Sequence, residues 1–507
     1  ESSAASDVYK RQPLYNYVDT NYSAYKTDKT TRAGAVYVGA NDGMLHAFDA
    51  ITGQELWAYI PSMVLPNLYK LADKNYPTDS TKHQFYVDNS PETGDICPTA
   101  PTTACTAAQW KTILVGGLNR GGKGYYALDI TNPSSPALLW EFTDQNLGYT
   151  YGNPTITKLK DGTWVVLVSA GYNNVDGTST ADVGKGRLYI LNAATGEVIR
   201  SISTGIGSAT TPSGLSRISA HVLQSSTDNT AIAAYGGDNL GNVWRFDINN
   251  DIGATGYDAQ LLVSLTDSAD KAQPVTVKPV QATVSGKPVI FVGAGRYLGT
   301  TDVADNSTQS FYAIKDNLDT VTLGNPRTGS SNFIAQTFTS GTCPEGTPST
   351  VCIAQQEVRT SSSNTVDWTT KNGWYVDFLT GGERVSTDPQ LSLGTLLFTT
   401  ITPQASTVSA CGPTTGTAAS FVYALDYLTG GAVDGANGVS GISLGSGLVT
   451  RPVMILQADG TVRALIRTSS GVSSGSDLGG TIVITPPIKP PSASGTRRVS
   501  WRVLNPQ

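Results

Sequence analysis

The sequence predicts an all-β fold, a quinoprotein-like β-propeller of about seven blades with long loop insertions. Three observations predict this fold. Residues 35–60 read as three short strands joined by two tight turns, a unit that buries little apolar surface alone and requires neighbours. The spacing between its later copies is irregular, as expected when blades carry insertions of different length. The core of the unit recurs along the chain at residues 125–129, 188–196, 242–247, 311–315 and 422–430.

Composition agrees with a turn-rich β protein. The chain has 507 residues, of which 53 are Gly and 26 are Pro, and only 15% are charged. The net charge is −6 and no basic stripe is present, which argues against nucleic acid or an anionic membrane surface as a partner. No apolar run approaches the 18 residues that a membrane-spanning helix needs.

The opening unit shows how each blade is built. Residues 35–39 form a small, β-branched strand, and Asn41-Asp42-Gly43 supplies residues that accept a positive φ in a hairpin turn. Residues 44–48 are predicted to form the second strand of this hairpin. Residues 55–60 form the third strand, with Trp57 and Tyr59 on one face. The aspartates that end the repeated strands are expected to accept turn N–H bonds; they are Asp49, Asp129, Asp247 and Asp426.

The N-terminal residues 1–31 are interpreted as a lead-in to a single propeller domain over residues 32–507. Within them, residues 7–12 (DVYKRQ) match the translation of a common sequencing-adapter sequence, so we set them aside from fold reasoning. We also expect the native protein to extend upstream of this chain.

The segments between blades contain insertions. Residues 61–86 include the one predicted helix, over residues 63–74. Residues 116–124 (GGLNRGGKG) are glycine-rich and basic, but they lack the G-K-[ST] ending of a phosphate-binding loop and join two strands, so we expect a hairpin loop. Near the C-terminus, a hairpin turns over residues 458–460, and residues 499–504 (VSWRVL) are a candidate strand to close the ring against the first blade.

The positions of the five cysteines indicate in which cellular compartment the protein folds. Cys97 with Cys105, and Cys343 with Cys352, each flank a short Pro/Thr-rich loop, which predicts two local disulfides in an oxidising compartment, with free thiols in tolerated loops as the alternative. Cys411 is left over. No C-x-x-C pair is present, which argues against a structural zinc site, a thioredoxin-type centre or a c-type haem attachment.

Several longer motifs resemble the C-terminal domain of PilY-type (PilC/PilY) type IV pilus tip proteins, in the order in which that family has them. The resemblance covers residues 32–507, and its motifs lie at residues 39–62, 235–248, 293–317, 373–378 and 497–505.

The resemblance implies an exported bacterial propeller, reaching the pilus tip and cell surface through the periplasm and outer membrane. There it would act in pilus biogenesis, in control of extension and retraction, and in adhesion. The implied partners are minor pilins of the tip complex and a host or abiotic surface.

Many members of that family carry a calcium loop of the form D-x-D-x-D-x-x-x-D after a GLS motif. Here the GLS motif is residues 214–216, but the loop's oxygen positions become Gln224, Ser226, Asp228 and Ile232. Asp228 is therefore the one candidate metal ligand. A single carboxylate cannot offset the dehydration of Ca²⁺, which takes six to eight oxygen ligands, so we predict that this site is lost.

A second oxygen-rich loop contains Asn173, Asn174, Asp176 and Asp182, without regular spacing. A solvated polar loop is the preferred interpretation, and metal binding is the alternative.

Catalysis is not predicted. A quinone-dependent dehydrogenase would need cofactor-binding carboxylates on the propeller axis, and several such enzymes have a vicinal disulfide, yet no two cysteines here are adjacent. No nucleophile elbow of a hydrolase is predicted either. Structural roles are expected for His46, inside a strand, and for His83 and His221, near loops.

Two non-enzymatic alternatives remain. One is a scaffold propeller of the outer-membrane assembly type. The other is a carbohydrate-binding propeller, although its stacking platforms would have to come from tryptophans that lie in strand patterns, namely Trp57, Trp140, Trp164 and Trp244. The candidate recognition segments for protein partners are residues 61–105, 171–182 and 341–352.

Overall fold

A computed structural model describes residues 7–9, 15–76, 82–177, 182–225, 227–253, 255–404, 407–409, 412–414, 418–457, 461–469 and 480–488. The chain divides into two compact units. The first contains residues 1–236 and 244–260, and the second contains residues 237–243 and 261–507. The prediction of one domain over residues 32–507 stays a prediction.

Strands β1–β13 belong to the first unit. Strands β14, β15 and β16 each contain residues of both units. Strands β1–β4, β5–β8 and β9–β12 each form a group of consecutive antiparallel neighbours. The bounds are β1 (Asp7–Tyr9), β2 (Ala35–Gly39), β3 (Leu45–Asp49), β4 (Glu55–Tyr59), β5 (Glu92–Ile96), β6 (Lys111–Gly117), β7 (Tyr125–Asp129), β8 (Ala137–Phe142), β9 (Thr155–Lys158), β10 (Trp164–Ser169), β11 (Arg187–Asn192), β12 (Val198–Ser203), β13 (Ile218–Gln224), β14 (Asp228–Gly237), β15 (Asn242–Phe246) and β16 (Ala259–Ser264).

The second unit holds sheets of five, six and three strands, with strand orders β17-β18-β19-β23-β20, β21-β22-β29-β28-β25-β24 and β30-β31-β32, and the two-stranded pair β26-β27. The bounds are β17 (Val280–Val284), β18 (Lys287–Gly293), β19 (Ser310–Lys315), β20 (Phe333–Gln336), β21 (Phe338–Thr342), β22 (Glu357–Ser361), β23 (Gly373–Asp377), β24 (Gln390–Ser392), β25 (Thr395–Thr402), β26 (Thr407–Ser409), β27 (Gly412–Thr414), β28 (Ala419–Asp426), β29 (Val439–Ser446), β30 (Val453–Leu456), β31 (Val462–Arg467) and β32 (Thr481–Ile484).

Within the described residues these strands can be divided into seven meander-like groups, two of which, β9–β12 and β13–β16, share one eight-stranded sheet; the sequence predicts about seven blades. They are β1–β4, β5–β8, β9–β12, β13–β16, β17-β18-β19-β23, β24-β25-β28-β29 and β30–β32. Strands β20–β22 and β26–β27 are insertions within two of these groups. The β21–β22 hairpin lies in sequence between β20 and β23, yet it pairs with β29 of the following group.

The turn chemistry inferred from the repeats is confirmed. Gly43 ends the first turn with a φ of 97°. At the repeated aspartates, a side-chain Oδ1 accepts a backbone N–H two or three residues later: from Thr52 to Asp49 (2.7 Å), Thr131 to Asp129 (3.0 Å), Asn249 to Asp247 (3.0 Å) and Leu428 to Asp426 (2.8 Å). These carboxylates hold the turns that follow the repeated strands.

The lead-in is part of the first unit's core. Helix α1 (Tyr22–Asp28) buries Tyr22 and Tyr25, and the Tyr22 ring meets Trp110 edge-on with centroids 4.8 Å apart. The Tyr22 hydroxyl donates to Asp95 over 2.7 Å. The expectation of one helix, at residues 63–74, is therefore wrong, because these aromatic contacts stabilise an earlier one. Residues 7–9, which the sequence interpretation set aside, form β1 and pair with β2.

The predicted helix at residues 63–74 is a run of short helical turns that ends at Ala72, and most of it is not α-helical. Only α2 (Leu65–Leu68) is α-helical, between 3₁₀ turns at Ser62–Val64 and Tyr69–Ala72. Pro66 accounts for the break between the first 3₁₀ turn and α2, because it has no N–H group to donate to the Ser62 carbonyl as a continuous α-helix requires. Within the described ranges, no helix has the length and hydrophobicity needed to cross a bilayer.

Other predicted elements have mixed outcomes. Residues 116–124 join the antiparallel strands β6 and β7, as a hairpin loop should. The C-terminal hairpin is confirmed by the pairing of β30 with β31, in which Val453 faces Leu465. Its turn at residues 458–460 and the candidate closing strand at residues 499–504 lie outside the described residues.

Candidate functional site

The segment that corresponds to the family's calcium loop is a tight hairpin. Strands β13 and β14 pair antiparallel with Gln224 opposite Asp228, and the Thr227 N–H donates to the Gln224 carbonyl over 2.9 Å. Ile232 lies within β14 and offers no side-chain oxygen. Position 226 lies outside the described residues. Most of residues 224–232 is therefore committed to strand pairing.

Asp228, the candidate metal ligand, already has partners. Its Oδ1 atom accepts the Thr230 hydroxyl at 2.6 Å and the Thr230 N–H at 3.1 Å, and lies 3.3 Å from Lys158 Nζ. Partial burial opposes ionisation of Asp228, but the Thr230 hydrogen bonds and the Lys158 ammonium outweigh it and lower the pKa of this carboxyl. Asp228 is thus an ionised partner of a lysine.

Lys158 binds a second carboxylate from the lead-in. Its Nζ atom lies 2.6 Å from Asp19 Oδ1 and 5.6 Å from the centroid of the Trp164 ring, and its side chain is only 12% exposed. The Val18 N–H donates to the Thr227 carbonyl over 2.8 Å, so the lead-in is hydrogen-bonded to the hairpin turn as well. An ammonium bonded to both carboxylates lies where a cation would have to bind.

This donor set does not fit Ca²⁺. A divalent ion at Asp228 would have to displace the Lys158 ammonium, and the described residues supply a single carboxylate from the family's loop positions. Calcium needs six to eight oxygen ligands to offset its lost hydration. Within the described ranges, no group of three or more His, Cys, Asp or Glu side chains is placed to hold a metal ion.

The carboxylates of the second oxygen-rich loop are also paired with basic side chains. Lys123 Nζ lies 2.6 Å from Asp176 Oδ2 and 3.1 Å from the Asn173 carbonyl oxygen. Asp182 pairs with Arg187, whose guanidinium nitrogen is 3.0 Å from Oδ1. These basic side chains already compensate the charge of both carboxylates.

The remaining member of that loop, Asn174, is buried and is held by backbone. Its side-chain NH₂ donates to the Lys185 carbonyl over 2.9 Å. Asn174 therefore serves the packing of the loop.

The basic residues of these clusters were not identified from the sequence. Lys158 is far from both of its partners along the chain, and only the parallel pairing of Thr230 in β14 with Lys158 in β9 brings it beside Asp228. Lys123 lies in the basic, glycine-rich loop at residues 116–124, and it is 53 residues from its partner Asp176 along the chain. No local pattern in the sequence encodes these pairs.

The four candidate disulfide cysteines lie in two pairs. Cys97 is bonded to Cys105, and Cys343 to Cys352, with Cα atoms 5.9 Å apart in each pair. The first disulfide precedes β6, and the second closes the loop between β21 and β22. Cys411 lies outside the described residues.

The histidines occupy structural environments. His46 in β3 lies between two carboxylates, with Nδ1 2.6 Å from Glu55 and Nε2 2.8 Å from Asp42. Burial opposes protonation of His46, but both carboxylates raise its pKa above the usual value. The prediction that His221 lies near a loop is wrong: it is fully buried within β13, and burial lowers its pKa to about 4.

Comparison with known proteins gives one consistent result. The family model of the PilY1 β-propeller domain matches residues 3–343. The type IV pilus biogenesis factor PilY1 of Pseudomonas aeruginosa PAO1 is 35% identical over 84% of this chain and 37% of that protein. A PilY1 homolog of Xylella fastidiosa Temecula1 is 32% identical over 93% of this chain and 38% of that protein. The chain thus spans well under half the length of these relatives.

A solved structure supports the fold. The crystal structure of the Pseudomonas aeruginosa PilY1 C-terminal domain is 28% identical, with a TM-score of 0.67 over 94% of this chain and 98% of that chain. This similarity and the family model confirm the predicted β-propeller class. Because the family model matches more than half of its 507 residues, the chain belongs to the PilY1 β-propeller family.

Proposed function

We propose that this chain is a non-enzymatic propeller that acts in type IV pilus biogenesis through contacts with other proteins. The observation that carries the proposal is the similarity of 84% of the chain to a protein named as a type IV pilus biogenesis factor. Because the chain corresponds to about 37% of that relative, the function of the whole protein is part of the proposal.

The non-enzymatic part of the proposal is supported by what the acidic side chains do. The repeated aspartates accept turn N–H bonds, and the carboxylates of both oxygen-rich loops pair with Lys or Arg. These groups are consequently engaged in holding the fold. The relatives carry the name of a biogenesis factor and no enzyme name.

The finer parts of the proposal are location and partners. We place the protein at the pilus tip and cell surface after export, in contact with minor pilins and with a host or abiotic surface, acting in adhesion and in the control of extension and retraction. The Cys97–Cys105 and Cys343–Cys352 pairs support passage through an oxidising compartment.

Exposed apolar side chains support two of the candidate recognition segments. In residues 61–105, Leu65 is 53% and Tyr69 is 73% exposed, one helical turn apart. Ile353, the residue directly after the end of the third segment at Cys352, is 64% exposed. The described part of the second segment, residues 171–177, offers polar side chains from the loop whose Asp176 is bound by Lys123. Such side chains on a rigid scaffold are typical of a binding surface.

Binding of the whole chain to a minor-pilin tip complex from the same organism tests the proposal, in calcium and in EGTA. We expect equal binding in both, because Lys158 and Lys123 already neutralise the oxygen-rich loops. We expect Tyr69→Ala to weaken binding and Val321→Ala, at a 57% exposed position outside the three segments, to leave it unchanged. Absence of binding under both conditions would argue against a pilus role for this part of the protein.

A further inference from the structure

The three-stranded sheet β30-β31-β32 has two chemically different faces. Met454, Ala464, Ile466 and Ile484 lie on one face and join a buried cluster that includes Leu397 and Val422 of the same unit. Since alternate residues of a strand point to opposite sides, residues one position along from these belong to the other face. The sheet therefore has an anchored face and an outward face.

The centre of the outward face is a row of three apolar side chains. Leu465 of β31 is paired with Val453 of β30 on one side and with Val483 of β32 on the other. Residues directly opposite each other in antiparallel strands share a face, so the three side chains lie side by side. Val453 is 42% and Val483 is 44% exposed. These valines form part of a continuous apolar row.

Arginines lie on both sides of that row. Arg463, opposite Ile455, and Arg467, opposite Thr481, are each two residues from Leu465 and therefore on its face. Both arginines are exposed. The three strands themselves, residues 453–456, 462–467 and 481–484, contain no Asp or Glu, and each of the two segments that connect them contains one Asp, Asp459 and Asp477. On a chain with a net charge of −6, the outward face therefore carries two arginines and no acidic residue from its own strands.

We propose that the outward face of β30-β31-β32 is a docking surface for an acidic polypeptide segment that places an apolar side chain between carboxylates. Burying the valine row supplies the hydrophobic contribution. Arginine guanidinium groups bind carboxylates with two parallel hydrogen bonds, which fixes the position of the partner and selects its charge. This inference goes beyond the proposed pilus role and does not depend on it.

The chain's own C-terminal tail is a poor occupant of this face by charge. Residues 489–507 contain Lys489, Arg497, Arg498 and Arg502 and no acidic residue. Their charge has the same sign as that of Arg463 and Arg467, so their approach to this face is electrostatically unfavourable. Charge complementarity thus favours an acidic segment of another protein.

A fluorescein-labelled peptide of alternating glutamate and valine is the probe, titrated with the whole chain and followed by fluorescence anisotropy. The matched control peptide has lysine in place of glutamate. We expect binding of the acidic peptide alone, and weaker binding as salt is raised. Arg467→Glu should weaken binding by about tenfold or more, because it replaces an attraction with a repulsion. Arg200→Glu, at an exposed position in β12 outside the three recognition segments, changes the net charge equally and should have little effect.

Val483→Ser tests the apolar row without changing charge and should also weaken binding. Circular dichroism and thermal melting establish that each variant is folded. Equal binding of the lysine peptide, or full binding by both Arg467→Glu and Val483→Ser in the folded state, would overturn the proposal. It would also be overturned if sedimentation showed that the chain dimerises and Arg467→Glu abolished the dimer, because the face would then bind a second copy.

Discussion

The Lys158 ammonium lies 2.6 Å from the Asp19 carboxylate, although 139 residues separate them in the chain. The same ammonium is 3.3 Å from Asp228, so one side chain joins the lead-in, strand β9 and the start of β14. The Lys158 side chain is 12% exposed, and solvent screens this cluster less than it screens a surface pair. The lead-in is thus held electrostatically as well as by its aromatic contacts.

We expect Lys158→Met to lower the free energy of unfolding by about 2 kcal/mol, because it leaves two carboxylates without their ammonium partner. Lys160→Met is the matched control. Its ammonium pairs with Asp251, but its side chain is 43% exposed, and such pairs contribute less than about 1 kcal/mol. Urea unfolding of both variants measures the difference. Equal losses would contradict a special role for Lys158.

Calcium should not stabilise the chain, because Lys158 and Lys123 compensate the carboxylates of both candidate loops. A micromolar calcium site would add about 4 kcal/mol at millimolar calcium, which thermal melting detects easily. We expect coincident melting curves in calcium and in EGTA. A rise of several degrees in calcium would show a metal site and contradict our interpretation of residues 224–232.

Asp88 should make stability depend on pH. Burial raises the pKa of Asp88 to about 6, and its Oδ1 atom accepts no hydrogen bond from the described residues. A carboxyl with a higher pKa in the folded state binds its proton more tightly there. Its stabilising contribution is therefore present below the unfolded pKa of about 4 and is lost as the pH rises to about 6.

Asp88→Asn removes this ionisation and keeps the shape of the side chain. We expect the variant to be more stable than the wild type by about 1 kcal/mol at pH 8, a value reduced from the full shift because the carboxyl is partly solvated. At pH 4 the two proteins should differ little, which is the internal control. An equal difference at both pH values would mean that ionisation of Asp88 is not the cause.

The local disulfides should stabilise the chain measurably. A loop as short as that between Cys97 and Cys105, eight residues apart in sequence, gives about 2.5 kcal/mol by the chain-entropy relation. We expect the Cys97→Ser/Cys105→Ser double variant to lose about this amount in urea unfolding. Reductant should lower the free energy of unfolding of the wild type more than that of the double variant, because the variant has already lost the Cys97–Cys105 bond. Alkylation of Cys97 and Cys105 in the folded protein without reductant would contradict the pairing.

Local features of the fold were predictable from the sequence. The hairpin turn at Gly43 and the aspartate turns after the repeated strands depend on residues two to four positions apart, and the structure confirms them. The family resemblance gave the propeller class for the same reason, because its motifs are short and continuous.

Features that depend on distant contacts were not predictable. Helix α1 was missed because it is stabilised by burial of Tyr22 against Trp110. No hydrophobic periodicity in the local sequence predicts that contact. The error at residues 63–74 is of the opposite kind, because Pro66, which breaks the expected helix, is a local signal that the sequence itself contains. The cation beside Asp228 was missed because Lys158 reaches it only through a parallel strand pairing.

The β21–β22 hairpin carries a mechanical consequence. It belongs in sequence to one strand group but adds to the edge of the next, where Val358 pairs with Ile442. Separating these two groups under tension would require rupture of a backbone hydrogen-bond ladder, in addition to the loss of side-chain packing. The hairpin therefore acts as a strap, and we expect a pulling force to unfold the two groups in a single cooperative event.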